Sequence, residues 1–246
     1  MTAIGIALRS AMGRIYDDPS LRDQAPVFRD RREAGERLGR YLASLPGLDT
    51  PLVCPIPAGG VPVGIAVSRA LRCPLRPLVV RKVQIPWNTE AGFGAITWDG
   101  RVFLNEDLLG QLHLTPEQVE AAIGKARANV RERLLRFSTG MPFPGLVEHS
   151  CIIVDDGLAS GYTMTAAAGA LGSLKPLRIL VAVPTGSLAA AERVADVVGE
   201  VICLNIRSGY SFAVADAYEE WYDLSEDEAV RLLMEAADEV RREKRG

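Results

Sequence analysis

The stretch Cys151–Thr165, CIIVDDGLASGYTMT, constrains this chain more than any other. An apolar run, Cys151–Val154, meets two adjacent acids, Asp155 and Asp156. A loop of small residues follows, Gly157-Leu158-Ala159-Ser160-Gly161, and then an Ala-rich, helix-forming segment over Thr163–Leu171. A strand, a phosphate-sized loop and a helix N-terminus in that order can aim free backbone N–H groups at an anion, and the helix dipole favours negative charge there. The acid pair falls at the carboxyl end of the strand, where open α/β sheets bind ligands.

The pattern recurs upstream. Leu52–Ile56 reads as a short apolar strand, Pro57-Ala58-Gly59-Gly60-Val61 as a tight turn and Gly64–Leu71 as a helix. Glycine lets a ligand approach the backbone closely, so the recurrence favours two anion cradles on one sheet edge. A plain strand-to-helix turn is the simpler alternative. Further strands are expected at Leu78–Val80, ending in Arg81-Lys82, at Leu177–Val183 and at Val201–Ile206. Helices are expected over Arg31–Leu45, from Thr115 to about Phe137, over Ser187–Val198 and over Ser225–Arg241, the last with Ser225 and Glu228 in capping-box spacing. The many Arg and Lys of the Thr115–Phe137 helix read as a solvated face. This alternation predicts an α/β fold, an open parallel β-sheet flanked by helices on both faces.

Between these elements, residues 1–25 read as an N-terminal extension with room for one short helix. Residues 26–246 read as a single domain. Val83–Asp99, with Trp87, Phe93 and Trp98, is long for a connection, and such loops are commonly functional. It reads as a flexible lid whose base is a β-hairpin turning at Asp99-Gly100, so that lid and hairpin cover residues 83–105. Ser138–Glu148 is a Pro/Gly linker. A small hood segment, residues 207–224, carries Tyr210, Phe212, Tyr218, Trp221 and Tyr222.

Composition excludes several classes. The net charge is −3 with no long basic run, which gives a nucleic-acid or membrane-surface role little support. Cys54, Cys73, Cys151 and Cys203 lie in or beside apolar runs without C-x-x-C spacing, as expected of reduced thiols in a cytoplasmic protein. Two histidines, His113 and His149, do not make a His-rich metal site, and no metal-ligating set is assigned. Met1–Met12 lacks the basic region and apolar length of a signal peptide. The uncharged run Thr50–Ser68 is broken by four prolines and three glycines, unlike a membrane span.

Rival motifs fit the central stretch poorly. A serine-hydrolase elbow needs G-x-S-x-G, whereas the spacing here is G-x-x-S-G. A dinucleotide fingerprint needs G-x-G-x-x-G, and a Walker loop needs its Lys. A phosphoacceptor domain would want a further Asp at a later strand end, where this chain has Pro184-Thr185-Gly186.

Ile152–Met164, IIVDDGLASGYTM, resembles the phosphoribosyl-pyrophosphate (PRPP) signature of type I phosphoribosyltransferases. The resemblance extends over about Phe28–Glu235. Ile56–Gly64 is similar to that family's pyrophosphate loop and Arg81-Lys82 to its basic strand end. The opening F-x-D-R and the F-A-V-x-x-x-Y segment are shared with a group of bacterial phosphoribosyltransferases of unsettled substrate. The resemblance implies Mg²⁺-dependent transfer of ribose 5-phosphate from PRPP to a nitrogenous base or similar acceptor, with Mg²⁺ carried in on the substrate.

In that scheme Asp155 and Asp156 hold the ribose hydroxyls and face the developing oxocarbenium charge. Lys82 joins them as a catalytic residue. Gly157, Leu158, Ala159, Ser160, Gly161, Tyr162 and Thr163 hold the 5′-phosphate. Ala58, Gly59, Gly60, Val61 and Arg81 hold pyrophosphate, and Phe212 and Ala213 meet the base. A homodimer is also implied. Two positions depart from the family: Ala58 stands where an Arg is usual, and Ala159 where the 6-oxopurine branch has an acid near the base. Both departures leave open a non-catalytic regulatory protein that binds PRPP or nucleotides.

Overall fold

A computed structural model describes residues 8–9, 13–137, 146–209 and 211–243. In chain order the elements are β1 (Leu8–Arg9), β2 (Arg14–Tyr16), α1 (Arg31–Ala43), β3 (Pro51–Pro55), α2 (Gly60–Leu71), β4 (Val80–Ile85), β5 (Asn88–Thr97), β6 (Val102–Leu104), α3 (Glu106–Leu112), α4 (Pro116–Phe137), β7 (Ser150–Val154), α5 (Tyr162–Gly172), β8 (Arg178–Ser187), α6 (Leu188–Val198), β9 (Glu200–Arg207) and α7 (Glu226–Glu243). The linker expected at residues 138–148 lies outside the described residues except for a short 3-10 turn, Leu146–Glu148. Tyr210 and most of the first twelve residues also lie outside them.

The apolar runs become neighbours in one sheet of order β1-β2-β9-β8-β7-β3, parallel throughout except for the β1–β2 pair. A parallel sheet must be covered on both faces, and alternate residues of each strand point to opposite faces. Val53, Ile152, Val154, Leu180 and Ala182 pack with Leu38, Leu42, Val63 and Val67 of α1 and α2. Cys54, Cys151, Ile153, Val181 and Val183 pack with Met164, Leu171, Ala191 and Val194 of α5 and α6. The expected fold class is the observed one.

Where an N-terminal extension was expected, the described part of residues 1–25 forms an edge of the sheet. β2 pairs with β9, Ile15 opposite Val201. The Asp18 and Asp23 amides then donate to Leu204 O (3.1 Å) and Ile206 O (3.0 Å). Buried Asp17 is ion-paired to Arg22, and the buried Asn205 amide donates to Leu21 O and Gln24 O. The sheet recruits this segment because β9 would otherwise expose its hydrogen-bonding edge.

The strand expected at Leu78–Val80 changes partners along its length. Arg76 N–H and Leu78 N–H bond to Val53 O (2.7 Å) and Pro55 O (2.8 Å) beside β3. The chain then leaves the main sheet, and β4 joins a separate antiparallel sheet, β4-β5-β6. Arg81 and Lys82 therefore lie inside a strand rather than at its end. The hairpin at Asp99-Gly100 forms as expected, with Ile96 opposite Val102 and Gly100 at φ +85°. A third apolar cluster unites this hairpin with α4 and α7 through Val83, Ile85, Phe93, Ile123, Val130 and Leu233.

Candidate active site

Register places the site. Pro55, Val154, Ala182 and Ile202 form one row across the parallel strands. The residues just beyond that row, Ile56–Gly60, Asp155–Gly161 and Thr185–Ser187, therefore share one carboxyl edge. Two of these segments are tied directly: Leu158 N–H donates to Thr185 O (2.9 Å), and Ser187 N–H to Leu158 O (3.1 Å).

The acid pair is held unequally. The Asp155 carboxylate accepts the Asp156 backbone N–H (2.9 Å). Burial, and then the charge of Asp156, push the Asp155 carboxyl well above the usual carboxylate range. Asp156 Oδ2 accepts from Arg31 Nε at 2.9 Å. Arg31 is only 6% exposed; its Nη1 donates to Tyr222 O (2.9 Å), and its guanidinium lies 3.8 Å from the Trp221 ring centroid. The Tyr218 hydroxyl donates to Asp156 O at 2.5 Å, and burial, followed by the charge of Asp156, raises that phenol well above its ordinary value. Charged hydrogen bonds and a cation–π stack thus aim one carboxylate, while its neighbour carries the cost of burial.

The two glycine loops and the acid pair are in contact. A Cβ at Gly59 would stand 2.1 Å from Asp156 Oδ2, and one at Gly60 would stand 2.7 Å from Val154 O. Gly59→Ala is expected to cost about 1–3 kcal/mol by overpacking, which lowers the melting temperature by roughly 2–12 °C at this chain length. Gly110→Ala, with nothing within 4 Å, is the control; equal melting temperatures in calorimetry would contradict the contact.

Donors in the first loop are fewer than the sequence suggested. α2 begins at Gly60, so Gly60 N–H is taken by Ile56 O (3.1 Å) and Val61 N–H by Ala58 O (3.0 Å). Among the described residues Ala58 and Gly59 donate to no backbone carbonyl, and those two amides are the ones free for an anion. The Pro57–Ala58 peptide is cis. In the second loop Gly161 takes φ +80° and starts α5. The first-turn amides of a helix have no intrahelical partner, so Tyr162, Thr163 and Met164 present N–H groups toward the loop. Ala159 and Ser160 are exposed, and their carbonyls are held by Ser187 Oγ (3.0 Å) and Arg193 Nη1 (2.6 Å).

Arg81 and Lys82 are not gathered onto the acid pair. Both line a cavity between β4 and α4 that takes no lining residue from either glycine loop or from the acids. Lys82 is exposed, its stem packed over Gly92. In the hood, Phe212 is half-buried and Ala213 exposed, while Val214 is the residue that meets the signature loop, against Gly157. Tyr218 stacks between Phe28 and Trp221, so those rings serve packing.

Sequence reasoning missed four residues. Arg31 had its signal in F-x-D-R, which carried no role. Tyr218 was read only as an aromatic. Arg133 lies on a helix face that reads as solvated, yet it is 5% exposed, bonds Glu226 (2.5 Å) and reaches Pro57 O of the first loop (3.4 Å). Arg207, opposite Ser187 at the end of β9, has a buried Nη1 without a hydrogen-bond partner among the described residues.

The pattern of the phosphoribosyl transferase domain matches residues 41–221. Two curated proteins from strains of Mycobacterium tuberculosis, each named "Putative phosphoribosyl transferase", are 36% identical over 207 residues, which is 84% of this chain and 46% of theirs. The chain thus spans about half the length of these curated relatives. The crystal structure of TT1426 from Thermus thermophilus superposes with a TM-score of 0.70 at 33% identity, covering 85% of this chain and 98% of that one. With its acid pair, its two glycine loops and the matched pattern around them, the chain belongs to the phosphoribosyl transferase domain family.

Proposed function

We propose that this protein transfers ribose 5-phosphate from PRPP to a nitrogen of a base or similar acceptor and releases pyrophosphate. The observation that carries the reading is the contact of Gly59 with Asp156 Oδ2, which sets an anion loop, an acid pair and a second anion loop side by side. Asp155 and Asp156 accept from the ribose 2′- and 3′-hydroxyls and place negative charge beside the anomeric carbon as the bond to pyrophosphate lengthens. The loop Gly157–Thr163 binds the 5′-phosphate through backbone amides and the Ser160 and Thr163 hydroxyls. Ala58 and Gly59 offer amides to pyrophosphate, and Arg133 braces their loop.

Mg²⁺ enters as part of the substrate. The donor set on this edge is two carboxylates, one engaged by Arg31, and no group of three or more candidate ligands occurs among the described residues. Such a set suits an ion that keeps its phosphate oxygens and waters. Arg81 and Lys82 on β4 would supply positive charge toward the pyrophosphate, and the exposed turn of the β4–β5 hairpin around Trp87 would close over the edge to exclude water.

The test is pyrophosphate release from PRPP and Mg²⁺ across a panel of bases, with wild type and Asp155→Asn/Asp156→Asn. Turnover with at least one acceptor, falling by about 10²-fold or more in the double variant, is expected for loss of preorganised charge. Tight PRPP binding without turnover on any acceptor would overturn the transferase reading in favour of a regulatory binder, the alternative that Ala58 and Ala159 favour.

A further inference from the structure

The cavity between β4 and α4 measures about 310 Å³. That is the lower end of the range for small-molecule sites, about 300–1,000 Å³. Its ionisable lining residues are Arg81, Lys82 and Lys125, and its amides are Gln84, Gln118 and Asn129; among the described residues no carboxylate lines it. Most of the rest is an alanine face of α4 that includes Ala121. A cavity lined by three cations in a chain of net charge −3 is a local feature, not an extension of the overall charge.

Details of the lining favour an anion. Gln118 Oε1 already accepts the Thr115 N–H (2.9 Å), which fixes the amide and leaves its NH₂ as a donor for a ligand. The nearby acid Glu226 bonds both Arg133 Nε (2.5 Å) and Arg136 Nη1 (3.0 Å). Arg81 is half-buried; burial and then the neighbouring Arg133 charge lower its pKa, and Glu226, already bonded to two arginines, offsets this only in part. A partly desolvated cation beside another cation is stabilised further when an anion joins it.

We propose that this cavity is a second anion-binding site, for a phosphorylated molecule of nucleoside monophosphate size. Arg81, Lys125 and Asn129 would meet the phosphate, and the alanine face would meet the apolar body of the ligand. The site is separate from the sheet edge, shares with it only the cations of β4, and does not depend on the transferase reading.

The experiment uses AMP as probe in titration calorimetry on the full chain carrying Ser160→Glu, whose carboxylate repels phosphate from the signature loop. One equivalent of AMP is expected to bind still, more weakly as salt rises. Adding Lys125→Glu should weaken it at least tenfold, and adding Ala121→Phe, which fills the cavity without charge change, should do the same. Both positions are exposed, and unchanged melting temperatures verify folding. No AMP binding to the Ser160→Glu protein, or binding that either addition leaves unaltered, would overturn the proposal. Pyrophosphate release is not read, so failure of the transferase reading leaves this result standing.

Discussion

Arg31→Ala is expected to lower the melting temperature by roughly 10 °C and the rate of pyrophosphate release by about 100-fold. Removing one partner of a buried ion pair costs about 3–5 kcal/mol, because the other charge is left without compensation. At this chain length each kcal/mol is worth about 2–4 °C. Asp156, with 16% of its side chain exposed, would lose its principal hydrogen-bond donor. Tyr222 O would lose a donor and Trp221 its cation–π partner. The catalytic penalty follows from geometry, since a displacement of about 1 Å in a positioning group can cost about 10²-fold. Arg31→Lys keeps the charge but not the planar fork, and should fall between the two. Arg31→Ala/Asp156→Asn should be more stable than Arg31→Ala alone, because the uncompensated carboxylate is gone. Calorimetry of wild type, Arg31→Ala, Asp156→Asn and the double variant completes the cycle. A single variant that melts with the wild type would refute the pairing.

What the sequence made legible was whatever lies within one stretch of chain. CIIVDDGLASG carries its strand, acids and loop contiguously, and its placement at the carboxyl edge follows from strand direction alone. The residues that aim those acids were hidden for a physical reason. Arg31 is 125 positions from Asp156, Tyr218 is 62 from it, and Arg133 is 76 from Pro57. Their roles exist only once the sheet order brings α1, the hood and α4 to the same edge, and an Arg on an amphipathic helix looks the same whether it meets water or a buried carbonyl. Strand ends failed similarly. Leu78–Ile85 is apolar enough for either sheet, and the switch from Pro55 to Thr97 as backbone partner leaves no mark in the residues. Arg14–Tyr16 is too short to show a period, so its edge pairing with β9 could not be read.

Asp155→Asn should separate stability from activity. In an unfolded chain Asp155 titrates near ~4; in the folded protein burial and Asp156 hold its pKa well above that. Between the two values the folded state keeps a proton that the unfolded state releases. Wild-type stability from this group is therefore fully present below the unfolded pKa and is lost as pH rises through the folded one. Asparagine has no such proton, and its Oδ1 can still accept the Asp156 N–H. The variant should melt above wild type at neutral pH, by an amount on the order of 1 kcal/mol or a few degrees. The difference should shrink as pH falls through about 4 and approach zero only below it, where aspartate too is protonated in both states. Turnover should fall by about 10²–10³-fold, as for loss of one preorganised electrostatic group. Melting curves from pH 3.5 to 8 with parallel pyrophosphate assays test both halves. A variant less stable than wild type at neutral pH would show that the Asp155 charge is accommodated rather than strained. A more stable, inactive one would identify that carboxylate as a group kept at a cost to the fold because the anomeric carbon needs its charge.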